Sequence, residues 1–456
     1  MTSTEPFVNG YVYRLILSSI SAWLSYYSDM SEKLKRAFLI ALIGATAVPF
    51  LLLVDWPDQL SAKTIAGYVS SVTGYIGVSL LVWMHILGTR AVTGLFFKNI
   101  PKILKIHSWL GKYGTLLVFV HPVMILLRYT EPLWYLVTPS LSDPYEKAVT
   151  YGRIALYSML VIWVTSALVR SKIKYRPWKY IHYLSYPTLL FALLHVPDVG
   201  GSYNYRGIQF FWWMFIVVSI LGVVLRARHL IGFGKLSYEV VSNVALTSET
   251  WLIRLRPQGK AITVRPGQYI YLQPRLTREE HPFSVLDYND TSGELVVGYK
   301  VFGAFTRKLT KRASGDYVLV DGPYGVFTSE LDQEQQEPVF IAGGIGITPF
   351  VRRARDSDKA LLIYANQTAS TAVLRDTLKN ALGERMVEVY SHEQGEARPG
   401  IEYGFLTADI IRRYVTNPST RHFYICGPKI MMKIARNTLT GLGVPESQIH
   451  MEEFSF

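Results

Sequence analysis

The chain contains only one cysteine, Cys426, among its 456 residues. A single cysteine excludes an internal disulfide, an iron–sulfur cluster held by cysteines and a covalently attached c-type haem. The sequence also lacks an aspartate-rich calcium loop, a long proline-rich regulatory segment and a signal-peptide pattern at its N-terminus. We therefore expect no calcium regulation and no cleaved leader, and any haem must be held without a covalent link.

Long apolar segments are abundant in the first half of the chain. Half of all residues are hydrophobic and the mean hydropathy is +0.19, which is high for a soluble protein. Segments of about 18–25 apolar residues are long enough to cross a hydrocarbon core of roughly 30 Å. After an N-terminal amphipathic segment over 1–36, with a helix near 11–27, we predict six spans in the lipid bilayer at 37–54, 67–88, 103–127, 152–169, 178–197 and 208–226.

The formal net charge of +13 is distributed in a regular way. Lysines and arginines cluster before the first span, between spans two and three, between spans four and five, and after span six, whereas the other loops are acidic or mixed. By the positive-inside rule, the N-terminus and everything after span six face the cytoplasm. We therefore predict an integral protein of the plasma membrane and no nucleic-acid partner.

Two spans carry histidines at similar spacings. The third span holds His107 and His121, 14 residues apart, and the fifth holds His182 and His195, 13 residues apart. Ionisable side chains inside a bilayer are costly and usually functional. Fourteen helical residues rise about 21 Å and return near the same face. Because both spans run in the same direction, we predict two stacked haems, with iron ligands His107 and His182 in one and His121 and His195 in the other.

The 13-residue spacing fits less well, since an ideal helix places His182 and His195 about 140° out of phase. Pro187 lies between them and can distort the helix. The alternative interpretation is four buried histidines, each bonded to a carbonyl, but the matched depths of the two pairs favour ligation. His85, in the second span, has no partner at such a spacing and is interpreted as an ordinary buried histidine.

From about residue 235 the sequence changes to short alternating strands separated by glycine and proline. This pattern predicts a small antiparallel β-barrel over 235–330. The Ser284 hydroxyl can hydrogen-bond a flavin ring nitrogen, and Lys300 with the backbone from Gly303 to Thr306 can hold a diphosphate. We therefore predict an FAD domain, whose candidate cofactor-binding residues are Arg265, Gln268, Tyr269, His281, Pro282, Phe283, Ser284, Val285, Lys300, Gly303 and Thr306.

The last part of the chain, 337–456, repeats a strand, a turn and a helix. In PVFIAGGIGITPF an apolar strand runs into a glycine-rich turn, and glycines let a backbone approach a pyrophosphate at a helix N-terminus. We predict an open α/β sheet that binds a nicotinamide nucleotide through Gly343, Gly344, Gly346, Thr348 and Pro349. Cys426 closes a later strand, where a nicotinamide ring can sit, the alternative being an ordinary buried cysteine.

Together these motifs resemble the ferric reductase/NADPH oxidase superfamily over roughly 37–456. HPFSV matches the flavin motif of that family, IAGGIGITPF its nucleotide loop, and the turn of Cys426, Gly427 and Pro428 its nicotinamide-side turn. The resemblance implies a multi-domain membrane protein: a six-helix transmembrane di-haem bundle over 37–230, then a cytosolic ferredoxin-NADP reductase-like module. It also implies that Phe454 stacks on the flavin, with Phe456 as the alternative, so the catalytic candidates are Ser284, Cys426 and Phe454.

The resemblance implies an NAD(P)H oxidase or ferric reductase in which electrons pass from NADPH or NADH to FAD, to two b-type haems and to an acceptor outside. The nucleotide stays open, because Gln367 and Phe405 stand where such enzymes often have arginines, although Arg375 can compensate. Dioxygen, giving superoxide, is the leading acceptor, without an obligatory protein partner. The alternatives are a ferric-chelate reductase, a module that feeds a partner protein or quinone, and a haem sensor.

Overall fold

The computed structural model describes residues 27, 30–274, 279–328, 331 and 337–453. The predicted helix near 11–27 lies outside these residues except for Tyr27, and Phe454 and Phe456 lie outside them as well. The chain divides into two compact units, Met1–Arg228 and His229–Phe456. The first unit is helical, and the second contains both β-sheets.

The first unit is built from helices joined by short turns. A π-helical turn, Leu110–Gly114, joins α5 to α6, and a second one, Val164–Leu168, follows α7. The α-helices of the described residues are α1 (Glu32–Ala47), α2 (Pro49–Leu53), α3 (Ala62–Leu87), α4 (Arg90–Phe96), α5 (Ile100–Trp109), α6 (Thr115–Tyr129), α7 (Pro144–Trp163), α8 (Tyr175–His182), α9 (Ser185–Val199) and α10 (Arg206–Leu230).

Four helical stretches in the described residues are long and apolar enough to cross a membrane. They are Ala62–Leu87, Ile100–Tyr129, Pro144–Leu168 and Arg206–Leu230, which correspond to four of the predicted spans. The chain is therefore a membrane protein with several candidate transmembrane helices.

The other two predicted spans, 37–54 and 178–197, each fall on two shorter helices in succession. Proline accounts for both interruptions, because its ring conflicts with the carbonyl four residues earlier and it has no N–H to donate. Pro49 begins α2 directly after the end of α1. The break between α8 and α9 lies at Tyr183 and Leu184, and Tyr183 is the residue four positions before Pro187.

The helices of the first unit pack as two close pairs, α3 against α6 and α7 against α9. Small residues on α3 and α7 allow these close contacts, as is usual in membrane bundles. Two buried apolar clusters fill the space between the helices. One contains Leu80, Met84, Leu87, Leu110 and Met159, and the other contains Val82, Leu189, Leu193, Trp212 and Phe215.

The second unit begins with a closed antiparallel barrel in the strand order β1-β2-β5-β4-β3-β6. Alternate side chains point inwards and form a core that includes Tyr238, Ile253, Ile270, Val297 and Val320. A short helix, α11 (Ala304–Leu309), follows β5. The strands are β1 (Leu236–Ala245), β2 (Thr250–Pro257), β3 (Tyr269–Pro274), β4 (His281–Tyr288), β5 (Leu295–Lys300) and β6 (Tyr317–Tyr324).

A six-stranded parallel sheet completes the second unit, in the order β10-β9-β8-β7-β11-β12. The order reverses between β7 and β11, and the crevice at such a reversal is where open α/β sheets bind ligands. The strands are β7 (Val339–Gly343), β8 (Leu361–Asn366), β9 (Met386–Tyr390), β10 (Ile401–Tyr403), β11 (Phe423–Cys426) and β12 (Ile449–Glu452). The α-helices among them are α12 (Val351–Arg355), α13 (Arg375–Leu382), α14 (Ala408–Tyr414) and α15 (Lys429–Gly441).

Candidate functional site

The four histidines predicted as haem ligands meet in two pairs. The ring centres of His107 and His182 are 6.1 Å apart and the ring planes are inclined by 70°. The ring centres of His121 and His195 are 6.2 Å apart and their planes are inclined by 85°. Each pair joins the helix made by α5 and α6 to the one made by α8 and α9.

The distance within each pair matches that of two imidazoles on opposite sides of one metal ion. An imidazole nitrogen binds a metal ion at about 2 Å, and the ring centre lies about 1 Å behind it, so two opposed rings have centres about 6 Å apart. The measured distances of 6.1 and 6.2 Å agree with this value. The residues present therefore fit two haem groups, one of which His107 and His182 would hold and the other His121 and His195.

In each of these four histidines the ring nitrogen Nδ1 contacts a polar atom of a neighbouring helical segment. His107 Nδ1 lies 2.9 Å from the Met84 carbonyl oxygen, and His121 Nδ1 lies 2.9 Å from that of Ser70. His195 Nδ1 lies 2.8 Å from the Ala148 carbonyl oxygen. An Nδ1–H that donates to a carbonyl fixes the ring orientation and leaves Nε2 for a metal, which is the usual arrangement around metal-bound histidine.

The fourth histidine, His182, has a side-chain neighbour instead of a carbonyl. Its Nδ1 lies 3.3 Å from the Ser166 hydroxyl oxygen, and that oxygen accepts a hydrogen bond from Trp178 Nε1 at 3.0 Å. The indole of Trp178 also stacks on the His182 ring, with ring centres 4.9 Å apart. The His182 ring is therefore oriented by side chains of the π-helical turn and of α8.

The two carbonyl acceptors on helix α3 have the same spacing as the two histidines that they contact. Met84 and Ser70 are 14 residues apart, as are His107 and His121. Because α3 packs against α6, equal steps on the two helices bring each acceptor level with its imidazole. Sequence reasoning missed these acceptors, because a backbone carbonyl leaves no trace in residue type.

Glycines on the neighbouring helices provide the space for three of the rings. A Cβ added to Gly74 would lie 2.8 Å from His121 Nδ1, and one added to Gly152 would lie 2.7 Å from the His195 ring. A Cβ at Gly88 would lie 3.2 Å from the His107 ring. Sequence reasoning did not identify these three glycines, although glycine within an apolar span is itself a sign of close packing.

The strongest observation at the predicted flavin site is a buried hydroxyl. Ser284 is 3% exposed, and its Oγ has no hydrogen-bond partner among the described residues. An unsatisfied buried hydroxyl is costly, so a group that can accept or donate a hydrogen bond there is expected. Ser284 lies opposite Tyr269 in the β3–β4 pairing, which places the two side chains on one face of the barrel wall. These residues fit a flavin ring.

The side chains of the other residues in the predicted HPFSV motif lie on the two opposite faces of β4. The side chains of Phe283 and Val285 lie in the barrel core, where Phe283 stacks on Phe305 with ring centres 6.0 Å apart. His281 also packs on Phe305, with ring centres 4.2 Å apart. Pro282 alternates with them and shares its face with Ser284. A contribution of Phe283 or Val285 to a cofactor site is therefore made through the backbone.

The predicted residues around the flavin have different local roles. Gln268 accepts from the Arg265 N–H at 2.8 Å and donates to the Gly325 carbonyl at 3.2 Å, which closes the turn before Tyr269. Lys300 is exposed at the end of β5 and forms an ion pair of 2.8 Å with Glu249.

The loop after β5 is held by a threonine. Gly303 is the N-cap of α11, and the Thr306 hydroxyl accepts from the N–H groups of Phe302 and Gly303 at 3.0 Å. The Thr306 side chain thus orders the backbone from Gly303 to Thr306. The candidate diphosphate residues Lys300, Gly303 and Thr306 lie together at this loop.

Three glycines bring the loops after β7 and β11 into direct backbone contact. A Cβ on Gly346 would collide with the Cys426 carbonyl, one on Gly343 would lie 2.8 Å from the Pro428 ring, and one on Gly427 would lie 3.0 Å from the Gly343 backbone. Both loops leave the carboxyl ends of adjacent parallel strands, at the reversal of strand order. The two backbones therefore form one edge of the crevice that a nucleotide can occupy.

The remaining nucleotide-loop residues also lie near this edge. Gly344 has φ +53°, a backbone conformation that favours glycine. The Thr348 hydroxyl donates to the Ile345 carbonyl at 3.0 Å, and its methyl lies against Gly298 of the barrel. Pro349 follows in the turn before α12. The expected strand-turn-helix sequence is therefore present, with a short 3-10 turn, Gly344–Ile347, before α12.

Cys426 ends β11 beside a carboxylate that the sequence reasoning missed. Cys426 is fully buried and pairs in register with Glu452 of β12. The Glu452 residue is partly exposed, but its Oε2 is buried and has no partner among the described residues. Burial raises the pKa of Glu452 to about 8, and burial together with the Glu452 charge raises the pKa of the Cys426 thiol. A proton-binding group therefore stands next to the predicted nicotinamide position.

Three families match consecutive parts of the chain. Residues 73–193 match the ferric reductase like transmembrane component, 237–328 an FAD-binding domain, and 340–437 the oxidoreductase NAD-binding domain. Ferric reduction oxidase 4 of Arabidopsis thaliana is 25% identical over 308 residues, which are 65% of this chain and 41% of that protein. Ferric reduction oxidase 2 of the same plant is 26% identical over 60% of this chain and 36% of that protein.

Further relatives and a solved structure each match about half of the chain. The flavohemoprotein of Bordetella pertussis is 28% identical over 48% of this chain and 61% of that protein. The ferredoxin reductase in carbazole 1,9a-dioxygenase has a TM-score of 0.42 and 23% identity, covering 49% of this chain and 70% of that one. This chain spans less than half of the length of the two plant ferric reduction oxidases.

A helical membrane unit followed by FAD-binding and NAD-binding domains defines a transmembrane flavin-dependent NAD(P)H oxidoreductase. More closely, the combination of these domains and the similarity to ferric reduction oxidases are consistent with the ferric reductase/NADPH oxidase superfamily. The predictions of an oxidoreductase, of a membrane helical domain and of a reductase-like module are confirmed.

Proposed function

We propose that this protein moves electrons from cytosolic NAD(P)H through FAD and two b-type haems to dioxygen on the opposite side of the membrane, where superoxide is released. The observation that supports this most is the geometry of the histidine pairs, with ring centres 6.1 and 6.2 Å apart. Flavin, when bound, takes up a hydride as two electrons and passes them on singly, which is how haem accepts them. In this proposal the N-terminus and the second unit lie in the cytoplasm and the membrane is the plasma membrane.

In this proposal His107 and His182 hold the haem nearer the cytoplasm, and His121 and His195 hold the haem nearer the outside. The carbonyls of Met84, Ser70 and Ala148 and the Ser166 hydroxyl keep each Nε2 aimed at its iron. If both imidazoles of a pair held one haem iron, no ligand position on that iron would remain for the acceptor, and the haem would supply electrons without an iron–acceptor bond.

The second unit positions the two organic cofactors. Ser284 donates a hydrogen bond to a flavin ring nitrogen, and the loop of Lys300, Gly303 and Thr306 holds the diphosphate. The glycine crevice after β7 and β11 holds the nicotinamide nucleotide, with Cys426 beside its ring. Phe454, outside the described residues, is proposed to cover the flavin face. The buried, unpartnered hydroxyl supports the role of Ser284, and the backbone contacts of the glycines support the crevice.

A ferric chelate is a second candidate acceptor, and a cationic pocket favours it. A cavity of about 380 Å³ in the first unit is lined by Lys63, Arg128 and Tyr68, and neither Lys63 nor Arg128 forms an ion pair with a described residue. Gly67, which also lines it, leaves room for the Arg128 side chain. Ser70, one turn further along α3, contacts His121. An anionic chelate is thus attracted to the vicinity of the second histidine pair.

The nucleotide is proposed to be NADH in preference to NADPH. Arg375, which could have compensated for the missing arginines, is bound to Glu388 through Nε at 2.6 Å. Glu388 is almost fully buried, so this charged pair is costly to separate. Phe405 is 65% exposed and offers no charge for a 2′-phosphate. Comparing kcat/KM for the two nucleotides on the purified chain tests this preference.

The decisive experiment is reduced-minus-oxidised absorbance of the detergent-purified chain, with haem counted per chain and NADH or NADPH as the reductant. Superoxide is followed in parallel with a dye whose signal is abolished by superoxide dismutase. We expect two b-type haems, both reduced through flavin, and a dismutase-sensitive signal. If both haems are reduced without superoxide formation and ferric citrate is reduced rapidly, a ferric chelate replaces dioxygen as the proposed acceptor.

The variant Ser284→Ala tests the flavin part independently. Removing the hydroxyl is expected to slow haem reduction by NAD(P)H by about tenfold or more while leaving reduction by dithionite unchanged. Ser237→Ala, on β1 of the same barrel, is a matched control. Absence of any haem in the wild-type chain would overturn the proposed function as a whole.

A further inference from the structure

A large apolar cavity lies in the first unit, between α9, α10 and the N-terminal part of α7. Its volume is about 920 Å³, at the upper end of the range for small-molecule sites. Half of its lining residues are leucine, isoleucine, valine or tryptophan, among them Leu189, Leu193, Trp212 and Ile216. An elongated hydrophobic ligand is the class of molecule that such a lining accepts.

This cavity is separate from the two histidine pairs. None of the four paired histidines lines it. The lining residues Tyr186, Leu190, Leu193 and Pro197 of α9 follow one another at intervals of three or four and share one face of the helix. His195 lies about half a turn from that face. The cavity is therefore on the side of α9 opposite to the histidine ligand.

Two residues that line this apolar cavity each carry a buried polar atom without a hydrogen-bond partner among the described residues. Ser219 is 6% exposed, and neither its Oγ nor His85 Nε2 has a hydrogen-bond partner among the described residues. Both residues line the cavity, and His85 lies against Gly222 of α10 and edge-on to the Tyr186 ring. An unsatisfied buried polar group is costly, and a ligand with hydrogen-bonding atoms removes that cost.

One polar end of the cavity, with His85 and Ser219, is at the depth of the first histidine pair, and Asp143, Lys147 and Asp198 line the other end. His85 directly follows Met84, whose carbonyl accepts from His107 Nδ1. From Tyr186 the lining continues along α9 to Pro197, a rise of about 16 Å. A ligand with its polar head at His85 and Ser219 would thus place a chain along the cavity. An acyl chain of a phospholipid has no atom that can satisfy His85 and Ser219, whereas the ring carbonyls of a quinone can.

We propose that this cavity is a lipoquinone site, in which carbonyl oxygens of the quinone ring accept hydrogen bonds from the Ser219 hydroxyl and from His85 Nε2 as its Nε2–H tautomer. The tail lies among the apolar residues of α9 and α10. This inference rests on the proposed function for its electron source. The balanced reaction is NAD(P)H + H⁺ + quinone → NAD(P)⁺ + quinol: the hydride supplies two electrons and one proton, and the solvent supplies the second proton.

The first test is binding, and it does not depend on turnover. The full chain in detergent is mixed with decylubiquinone, a benzoquinone with a ten-carbon tail, and its thermal unfolding is followed. Stabilisation is expected with decylubiquinone, because a ligand that binds the folded state raises the midpoint of unfolding. Decanol, which has the tail but no quinone ring, and a phospholipid serve as comparison ligands. Equal stabilisation by either of these would overturn the proposal and assign the cavity to an acyl chain.

Variants locate the ligand. Ser219→Leu fills the cavity and His85→Leu removes the ring nitrogen, and each is expected to weaken decylubiquinone binding at least about tenfold. Ser219→Thr keeps the hydroxyl and should restore most of the affinity. Ser79→Ala is the matched control, because this buried serine of α3 is bonded to Thr46 instead and does not line the cavity. Unchanged binding in both leucine variants would contradict the site.

A second measurement separates this proposal from the proposed function. Anaerobic reduction of decylubiquinone by NAD(P)H is expected in the wild-type chain and should fall at least about tenfold in Ser219→Leu and His85→Leu, in line with the lost binding. Haem reduction by NAD(P)H should remain in both variants. If the wild-type chain binds the quinone but cannot reduce its haems, the proposed function fails while the site stands. Reduction that is equal in wild type and variants would overturn the site.

Discussion

The two units of this protein prepare their sites in opposite ways. In the first unit side chains project towards each other, and four imidazoles are aimed in pairs by acceptors on neighbouring helices. In the second unit the nucleotide crevice is shaped by glycines, because the lack of a side chain at Gly343, Gly346 and Gly427 lets two backbone segments come into contact. A substitution should therefore delete a whole redox centre in the first unit but distort a binding surface in the second.

The largest effect is expected from losing an imidazole of a pair. His121→Ala should lower the haem content from two per chain to one, because the remaining His195 offers a single axial ligand. Pyridine haemochrome analysis of the purified chain measures this directly. His392→Ala, a substitution of an exposed histidine of the second unit, is the control and should keep both haems. Two haems in His121→Ala would refute the assignment of this ligand.

The corresponding change in the second unit is Gly346→Val. The added side chain collides with the Cys426 carbonyl and separates the two loops. A misplacement of about 1 Å near reacting atoms can cost about 100-fold in rate, so haem reduction by NAD(P)H should fall by about that factor. Haem content and reduction by dithionite should not change. Gly441→Ala, at a glycine with no neighbouring atom within 4 Å of an added Cβ, is the control.

A smaller substitution in the first unit tests whether its histidine pairs also need a glycine beside them. Gly152→Ala places a methyl group 2.7 Å from the His195 ring, and overpacking of this kind typically costs about 1–3 kcal/mol. We expect weaker retention of one haem and a shifted reduction potential, seen in a spectroelectrochemical titration. Gly44→Ala, with no atom within 4 Å of the added carbon, provides the comparison. Identical titrations for the two variants would show that the space beside His195 is not needed.

The smallest effect on electron transfer is expected from Glu452, which should act mainly on the pH dependence of stability. Because burial raises the pKa of Glu452 to about 8, the folded chain keeps a proton that the unfolded chain has released. The resulting stabilisation is fully present below about pH 4.5, the ordinary pKa, and is lost as the pH rises through about 8. Between pH 5 and pH 9 wild type should lose up to a few kcal/mol more than Glu452→Gln.

Chemical denaturation followed by flavin fluorescence at several pH values measures this difference. Glu453→Gln, at the neighbouring position, is the matched control and should keep the wild-type pH dependence. Parallel curves for wild type and Glu452→Gln would mean that the Glu452 carboxyl is ionised in the folded state across this range.

The sequence allowed the domain types to be predicted, because apolar spans, strand alternation and glycine-rich turns are local patterns. It also identified histidines that the fold brings into two pairs, since their spacing follows from helix geometry. The relative directions of the His182 and His195 side chains around the helix axis could not be predicted, because they depend on the helix break at Tyr183 and Leu184. The partners Met84, Ser70 and Ala148 act through their carbonyls, which no residue type reveals. Glu452 was missed because its burial depends on the strand beside Cys426.

The two histidine pairs are separated along α5 and α6 by about 20 Å of helix rise. In the proposed function, an electron that passes between haems at these positions would cross most of the electric field of the membrane. Moving one elementary charge through a membrane potential of 100 mV is worth about 2.3 kcal/mol. With a negative cytoplasm, outward electron flow is downhill in that potential and discharges it. Turnover in sealed vesicles should therefore be electrogenic, and an ionophore that lets cations follow the electrons across the membrane should relieve its self-limitation.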